Sequence, residues 1–396
     1  MNRKGADVVA LIGPECTTTV LSDRFFDSES GSLVPAIISV ENGVVAKLSS
    51  GQSLPAVAFA GKTINLTGLL VTPGLVDFHT HLFHGQDLGV HADTLIKHGV
   101  TAAVDAGSAG AHIFPAFKEL VIDKSKLRIQ SFLNIATVGT TSILLQGELK
   151  SPAYCNEEIA ISTALNFPDE IIGIKVRASK DVGGDFAVEG FLKARSAATK
   201  LGLPLMVHLG PAPVDVEYIL ERLGAGDILT HAFTGWEGNN LVVDSKPRAS
   251  FVAAKKRGVL FDIGHGMGGF DSTVAKVLID HGFYPDTIST DIHTYSKEKV
   301  VGLPEVLSKF VALGMELSEV LKRATTSPAE FGRFNTIGVG TIYPGMQADI
   351  AAFESIEAEQ IFSDCHGHSF AGNMRLVPVF TMINGEVLFD RDGRAN

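Results

Sequence analysis

Between residues 74 and 291 the sequence repeats one pattern, a short run of apolar and often β-branched residues followed by an amphipathic helical stretch. This alternation is typical of βα units whose strands form a parallel sheet. Eight strands are predicted, over residues 74–79, 101–105, 128–135, 171–176, 204–208, 228–231, 259–263 and 287–291. Eight such units in about 250 residues match the size of a (β/α)8 TIM-like barrel, an α/β fold. A doubly wound open sheet is the alternative that this pattern leaves open.

The stretches between and after these strands carry the apolar spacing of helices that pack one face on a sheet. Helices are predicted over residues 113–121, 157–165, 186–201, 214–223, 249–257, 270–281, 303–313 and 317–334.

The two ends of the chain have the character of short strands joined by tight turns. Asn42-Gly43 separates the apolar runs 36–40 and 44–48, and Asn384-Gly385 separates 379–383 from 387–389. An Asn-Gly pair between two strand-like runs is a strong hairpin signal. We therefore predict a small β-sandwich domain formed by residues 1–72 and 345–396, and a barrel domain formed by residues 73–344.

Charge and cysteine content exclude several classes of protein. The formal net charge is -11, and no basic stretch is present that could neutralise phosphates, which argues against nucleic acid and anionic membranes as partners. The apolar run at residues 8–12 is too short for the hydrophobic region of a signal peptide, and no later run reaches 18 apolar residues. Cys16, Cys155 and Cys365 are odd in number and far apart, which predicts reduced thiols in a cytoplasmic protein.

Imidazole, carboxylate and amine side chains recur at the C-terminal ends of the predicted strands. They are His79 and His81 on the first strand, Lys175 on the fourth, His208 on the fifth, His231 on the sixth and Asp291 on the eighth. A lone histidine at a strand end is usually a hydrogen-bonded structural residue. Buried together without an ion, however, this set would leave several polar groups unpaired at high cost. The pattern therefore favours a metal centre at the mouth of the barrel.

Two segments of the chain carry a resemblance to a known family. Residues 71–81, with the sequence VTPGLVDFHTH, resemble the first-strand motif of the amidohydrolase superfamily, the metallo-dependent hydrolases. Residues 340–350, GTIYPGMQADI, are similar to the segment by which its members return from the barrel to the β-sandwich. Together with the strand-end residues, the resemblance extends over essentially the whole chain.

The resemblance implies a site with two divalent ions, predicted to be zinc because four imidazoles suit this metal. His79 and His81 would bind one ion, and His208 and His231 the other. Lys175 would bridge both ions as a carbamate, and Asp291 would complete the shell of the first. Asp291 would also accept the proton of the attacking water and deliver it to the leaving group.

Differences between this sequence and known branches of the superfamily narrow the range of reactions that we predict. Dihydroorotases usually carry an arginine two residues after the second histidine of the motif, where this chain has Phe83. The overall pattern resembles a dihydroorotase-like group of deacetylases. We predict removal of an acyl group, acetyl in particular, from a small hydroxy acid or amino acid. A cyclic-amide hydrolase of the dihydroorotase or hydantoinase kind, a deaminase on the same centre and a non-catalytic scaffold remain as alternatives.

Three further residues are predicted to contact a substrate. Arg177 lies two residues after Lys175 and so faces the same mouth, where its guanidinium could bind a substrate carboxylate. The alternative for Arg177 is a structural ion pair with an acid at the rim. His265 and His293 follow the seventh and eighth strands. The predicted partner is thus a small acylated molecule with a carboxylate, and the sequence leaves the number of subunits open, a homo-oligomer included.

Overall fold

The computed structural model describes residues 18–55, 59, 61–145 and 147–395. Cys16 and the apolar run 8–12 lie outside the described residues. In the described part of the chain, no helix is long and apolar enough to cross a membrane.

The strands alternate with helices in the middle of the chain and follow one another at its two ends. The strands are β1 (Thr18–Asp27), β2 (Ser32–Glu41), β3 (Val44–Ser50), β4 (Lys62–Asn65), β5 (Leu70–Pro73), β6 (Leu75–Thr80), β7 (Val100–Asp105), β8 (Arg128–Asn134), β9 (Ile171–Arg177), β10 (Leu205–His208), β11 (Ile228–Thr230), β12 (Val242–Val243), β13 (Lys246–Pro247), β14 (Leu260–Phe261), β15 (Ile350–Ile356), β16 (Gln360–Ser363), β17 (Ser369–Gly372), β18 (Arg375–Ile383) and β19 (Glu386–Asp390).

The helices are α1 (Asp93–Ile96), α2 (Phe114–Leu120), α3 (Glu157–Asn166), α4 (Lys180–Gly183), α5 (Ala187–Leu201), α6 (Val216–Arg222), α7 (Ala249–Lys256), α8 (Ser272–Asp280), α9 (Lys297–Val300), α10 (Leu303–Ala312), α11 (Leu317–Lys322) and α12 (Thr326–Phe331).

A parallel sheet forms the centre of the molecule. Its strands are hydrogen-bonded in chain order, β6, β7, β8, β9, β10, β11 and β14, and every neighbouring pair is parallel. Parallel neighbours in chain order require a crossover after each strand, which the intervening helices provide. The predicted barrel is confirmed, and the open doubly wound sheet is excluded because its strand order would reverse.

Residues 287–292 occupy the place of the eighth strand and close the ring. Asp262, next to β14, forms a parallel bridge with Thr287, and Thr80 of β6 forms one with Ile292. The segment therefore joins the seventh strand to the first.

The eighth strand predicted over residues 287–291 is not a regular strand. Asp291 has a φ of 47°, outside the β region. The backbone N–H of Thr290 donates to the carboxylate of Asp77 at 3.0 Å, and that of Asp291 donates to the carbonyl of His79 at 2.7 Å. The side-chain carboxylate of Asp77 thus replaces part of a regular ladder, which a pattern of apolar residues cannot reveal.

One predicted helix, over residues 317–334, is two helices in the structure. α11 ends at Lys322 and α12 begins at Thr326. Pro328 lacks a backbone N–H, and its ring would clash with the carbonyl four residues earlier, that of Ala324. The Ala324 carbonyl instead accepts from the backbone N–H of Val76 in β6 at 2.8 Å. The break between α11 and α12 therefore allows a backbone hydrogen bond between this region and β6 of the barrel.

Strands from both ends of the chain form one eight-stranded sheet. Its order is β19-β18-β15-β5-β1-β2-β3, with β4 paired to β1. Asn42 and Gly43 join β2 to β3 with φ angles of 49° and 82°, and Asn384 and Gly385 join β18 to β19 with 51° and 73°. Both predicted hairpins are confirmed, with the positive φ values that a type I′ turn requires.

The sheet passes directly into the barrel, because β5 ends at Pro73 and β6 begins at Leu75. Between them the backbone N–H of Gly74 donates to the carbonyl of Asp349 at 2.9 Å, and Arg128 of β8 forms an ion pair with Asp349. The apolar side chains of this sheet pack in a core cluster of their own. The division into residues 1–72 plus 345–396 and residues 73–344 as separate folding units stays a prediction.

Candidate metal centre

The six strand-end residues meet at the C-terminal mouth of the barrel. All are buried except His208, which is partly accessible. Nε2 of His79 lies 3.4 Å and Nε2 of His81 lies 3.3 Å from Oδ1 of Asp291. One ligand atom from each of these three residues lies within 4.8 Å of the others, close enough for a single ion.

The remaining two histidines extend this group. The ring centroids of His208 and His231 are 4.4 Å apart, and those of His79 and His231 are 5.0 Å apart. His79 therefore joins the two halves of a continuous cluster of imidazoles. Such a cluster offers nitrogen ligands to more than one ion.

Lys175 is buried at this centre, and no acidic side chain among the described residues forms a hydrogen bond with its amine. Its side chain is 1% exposed, and Nζ contacts the sulfur of Met206 at 3.5 Å, a weak acceptor. Burial lowers the pKa of Lys175 to about 7. A large share of its amine is therefore neutral near neutral pH, the form that reacts with carbon dioxide.

Hydrogen bonds behind the rings turn Nε2 of three histidines toward the centre. The carbonyl of Gly264 can only accept, so Nδ1 of His231 donates to it at 2.6 Å. The hydroxyl of Thr230 gives its hydrogen to Asp262 at 2.6 Å and so accepts from Nδ1 of His79 at 2.7 Å.

His81 is held in the same way. Its Nδ1 donates to the hydroxyl of Ser108 at 2.8 Å, and Ser108 donates to Asp105 at 2.8 Å. With Nδ1 protonated, Nε2 of each ring carries the free lone pair that a metal ion needs. The residues present therefore fit divalent ions in geometry and in tautomer.

Burial also keeps these imidazoles neutral. It lowers the pKa of His81 to about 3 and that of His231 to about 4, and it lowers the pKa of His79 and His208 well below the usual range. Only the neutral imidazole binds a metal.

Glycines after the seventh strand make room for two of the candidate ligands. A Cβ on Gly264 would lie 2.9 Å from Nδ1 of both His79 and His231, and a Cβ on Gly266 would collide with the carboxylate of Asp291. His231 and Asp291 themselves have positive φ angles of 58° and 47°. The site residues predicted from the sequence did not include these glycines.

Sequence reasoning also missed the carboxylates and hydroxyls behind the histidines. Asp262 follows the seventh strand and accepts from Thr287 and Ser289 at 2.6 Å each as well as from Thr230. Asp105 is the last residue of β7, the second strand of the barrel. This position at the barrel mouth is the feature of the sequence that could have identified Asp105 as part of the site.

Arg177 lies beside the centre with its side chain 10% exposed. Its Nη1 is 3.4 Å from Oε1 of Glu148, a residue of the loop between β8 and α3. The structural ion pair that was the alternative for Arg177 is thus present. Nε of Arg177 has no hydrogen-bonding partner among the described residues.

Of the other two predicted substrate contacts, the structure brings only one to the centre. The ring of His293 lies 6.2 Å from that of His81, centroid to centroid. His265 faces away, because its Nε2 accepts from the buried amine of Lys309 at 2.8 Å and its Nδ1 lies 3.2 Å from the carbonyl of Gly266. Both nitrogens of His265 are engaged inside the protein, so a substrate contact by His265 is not supported.

Comparisons with known proteins bear on this centre. No family model matches the chain. A protein of Brucella anthropi named deacetylase is 30% identical over 92% of this chain and 90% of its own length. The crystal structure of an adenine deaminase superposes with a TM-score of 0.84 at 29% identity, covering 94% of this chain and 99% of that one. A crystal structure of a dihydroorotase gives a TM-score of 0.84 at 28% identity, covering 95% and 98%.

Proposed function

Because the chain belongs to the amidohydrolase superfamily and is a hydrolytic enzyme, we propose that it is a metal-dependent deacetylase of small acylated hydroxy acids or amino acids. The convergence of imidazole nitrogens, one carboxylate and an enclosed lysine at one mouth is the observation that carries this proposal. The substrate is a small molecule, and the deacetylase name of the relative favours an acetyl ester or amide.

The proposed ions are two zinc ions. His79, His81 and Asp291 would hold one, His208 and His231 the other, and Lys175 would bridge them as a carbamate. A carbamate supplies the carboxylate-like bridge that two dications need, and the buried amine is suited to form it. When bound, such a pair of ions lowers the pKa of a water molecule and polarises the acyl carbonyl.

The protein's own groups would move the proton. Oδ1 of Asp291 lies within 3.4 Å of the Nε2 atoms of His79 and His81, at the centre of the candidate site. We infer that Asp291 accepts the proton of the attacking water and returns it to the leaving oxygen or nitrogen. Asp105 and Asp262 would keep the histidines oriented through Ser108 and Thr230.

Cyclic-amide hydrolysis and deamination are the alternative reactions on the same centre. Both remain alternatives because this chain is similar in fold to a dihydroorotase and to an adenine deaminase. A non-catalytic scaffold is disfavoured, because such a protein has no need to retain all six candidate groups together at one mouth. Cys155 and Cys365, which are unpaired, support a reducing compartment such as the cytoplasm.

A substrate panel on the zinc-loaded protein separates these functions. It contains O-acetyl-lactate, N-acetyl amino acids, dihydroorotate, a hydantoin and adenine. The proposal expects release of acetate from an acetylated acid with a kcat/KM at least a hundredfold above that for the ring substrates. Efficient opening of a cyclic amide or release of ammonia from adenine, without acetate release, would assign the chain to one of the alternatives.

A further inference from the structure

Two buried donor atoms beside the metal centre have no hydrogen-bonding partner among the described residues, Nε of Arg177 and Oγ of Ser179. We propose that they form a subsite for the substrate's carboxylate and that Glu148 holds the Arg177 guanidinium in position for it. This inference rests on the proposed deacetylase function. It adds Ser179 and Glu148 as residues that determine specificity.

Arg177 and Ser179 continue the face of β9 on which Lys175 lies. Side chains two residues apart on an extended strand point to the same side. Arg177 is the last residue of β9, and Ser179 is still extended, with φ of -93° and ψ of 165°. Alternation along this stretch therefore predicts that all three side chains face the interior of the mouth.

The subsite adjoins the candidate metal ligands. A Cβ placed on Gly210 would lie 2.8 Å from Cβ of Ser179 and 2.9 Å from Nε2 of His208. Ser179 and Nε2 of His208 therefore both lie next to Gly210, and Arg177 is paired with His208 in the register of β9 and β10.

The chemistry of the two atoms defines the ligand. Nε–H of arginine can only donate, and the serine hydroxyl can donate as well. A buried donor without a partner costs about 1–3 kcal/mol, and a ligand that offers an acceptor would remove that cost. A carboxylate offers one acceptor oxygen to each donor, and its charge strengthens both bonds.

Glu148 explains why the Nε edge of the guanidinium is the free one. Its Oε1 lies 3.4 Å from Nη1 of Arg177 and accepts from the hydroxyl of Thr140 at 3.4 Å, while its Oε2 accepts from the backbone N–H of Gly147 at 3.3 Å. Glu148 thereby pairs with Nη1 of Arg177 and leaves its Nε without a partner among the described residues. The negative charge of Glu148 also offsets part of the positive charge of Arg177, so the two donor positions contribute to the selection of a substrate beside the charge.

The experiment compares O-acetyl-lactate with its methyl ester on zinc-loaded wild type, Arg177→Lys and Ser179→Ala. Lysine keeps the positive charge but has no Nε donor. We expect each variant to lower kcat/KM for the acid about tenfold and to change that for the methyl ester less than about twofold. Binding of lactate measured by calorimetry should weaken about tenfold in both variants, a readout that needs no turnover.

Matched controls are available elsewhere in the barrel. Arg195 pairs with Asp227 and also has an unpartnered Nε, but it lines a cavity at the opposite end of the strands. Ser131 is buried inside β8. Arg195→Lys and Ser131→Ala should leave the discrimination between acid and ester unchanged, with thermal unfolding used to confirm that every variant folds.

The outcomes distinguish this inference from the proposed function. Equal losses on acid and ester in Ser179→Ala, or a wild type that does not prefer the acid, would overturn the subsite while the deacetylase function stands. A wild type that releases acetate from neither compound would instead refute the function. Glu148→Gln should weaken lactate binding with the ester rate retained, and unchanged lactate binding would remove Glu148 from the subsite.

Discussion

The number of ions that the centre can bind depends on the chemical state of Lys175, an ammonium group or a carbamate. Lys175 is enclosed among histidines, and its amine has the sulfur of Met206 as its hydrogen-bonding contact. An ammonium group in this place would be poorly paired and would repel cations, whereas a carbamate would bridge them. The residue is therefore the clearest single-site test of the proposed bridge.

We expect Lys175→Ala to lose most of its bound metal and more than about a thousandfold in kcat, because the bridging ligand is removed. Added acetate or formate should restore part of both, since a free carboxylate can occupy the space. Metal content and kcat would be measured with and without these acids. An alanine variant that keeps its full metal content and activity would show that Lys175 bridges nothing.

At the residue scale, the sequence was sufficient to find the candidate ligands but not the groups behind them. His79, His81 and Asp291 end strands of a regular repeat, so their convergence follows from the barrel. Asp262 follows the seventh strand and contacts His79 on the first strand. That contact depends on the tilt of the strands and on the closure of the barrel. No local pattern contains this information, and the same holds for the pairing of Arg177 with Glu148.

Among the elements, the loop from Gly264 to Gly269 packs directly against two candidate ligands, His231 and Asp291. Gly264 accepts from His231, and Gly266 packs against Asp291. Lys309 of α10 holds the loop from behind through His265, at 2.8 Å. The loop thus connects α10, through Lys309 and His265, to two candidate ligands.

Gly266→Ala tests this loop. Its φ is 46°, and a methyl group there would displace the Asp291 carboxylate. We expect kcat to fall at least about a hundredfold, because Asp291 is moved from the proton-transfer position. Gly282→Ala is the control, since Gly282 also has a positive φ, 77°, but open space around its Cα.

The control should lose only about 1 kcal/mol of stability and keep its kcat. Kinetics and denaturant unfolding of both variants provide the measurements. If Gly266→Ala behaved like the control, the close packing of this loop on Asp291 would be unimportant for catalysis.

Regular elements were predictable, and irregular ones were not. The apolar repeat predicted seven of the strands and both hairpins because burial and turn chemistry act locally. The eighth strand and the break before Thr326 depend on partners distant in sequence. Asp77 binds the backbone of Thr290, and β6 takes up the carbonyl of Ala324. Such partners exist only once the barrel has closed.

For the whole molecule, the buried histidines predict how stability depends on pH. Burial lowers the pKa of His81 and His265 to about 3 and that of His231 and His293 to about 4. Below pH 6.5, the ordinary pKa of histidine, these side chains bind protons in the unfolded chain but not in the folded chain. The free energy of unfolding therefore falls as the pH falls. Asp77, with a pKa raised to about 7 by burial, acts in the opposite direction.

In the described part of the chain, the histidines whose pKa burial lowers, His79 and His208 included, outnumber the three aspartates whose pKa burial raises, Asp77, Asp262 and Asp349. The metal-free protein should therefore become less stable between pH 6.5 and 4. The slope is about 1.4 kcal/mol per pH unit for each histidine that stays neutral. Urea unfolding at several pH values measures it. Stability that is constant or rises on acidification would show that these histidines are not neutral in the folded protein.

Zinc titration of the chelator-treated protein, with acetate release from O-acetyl-lactate measured at each step, tests the central claim most directly. If the mouth of the barrel is a two-ion hydrolytic centre, the metal-free protein is inactive and kcat reaches a plateau at about two equivalents of zinc per chain. In His79→Ala the plateau should require more zinc and remain far lower. Full acetate release by protein that elemental analysis finds free of metal would contradict the account.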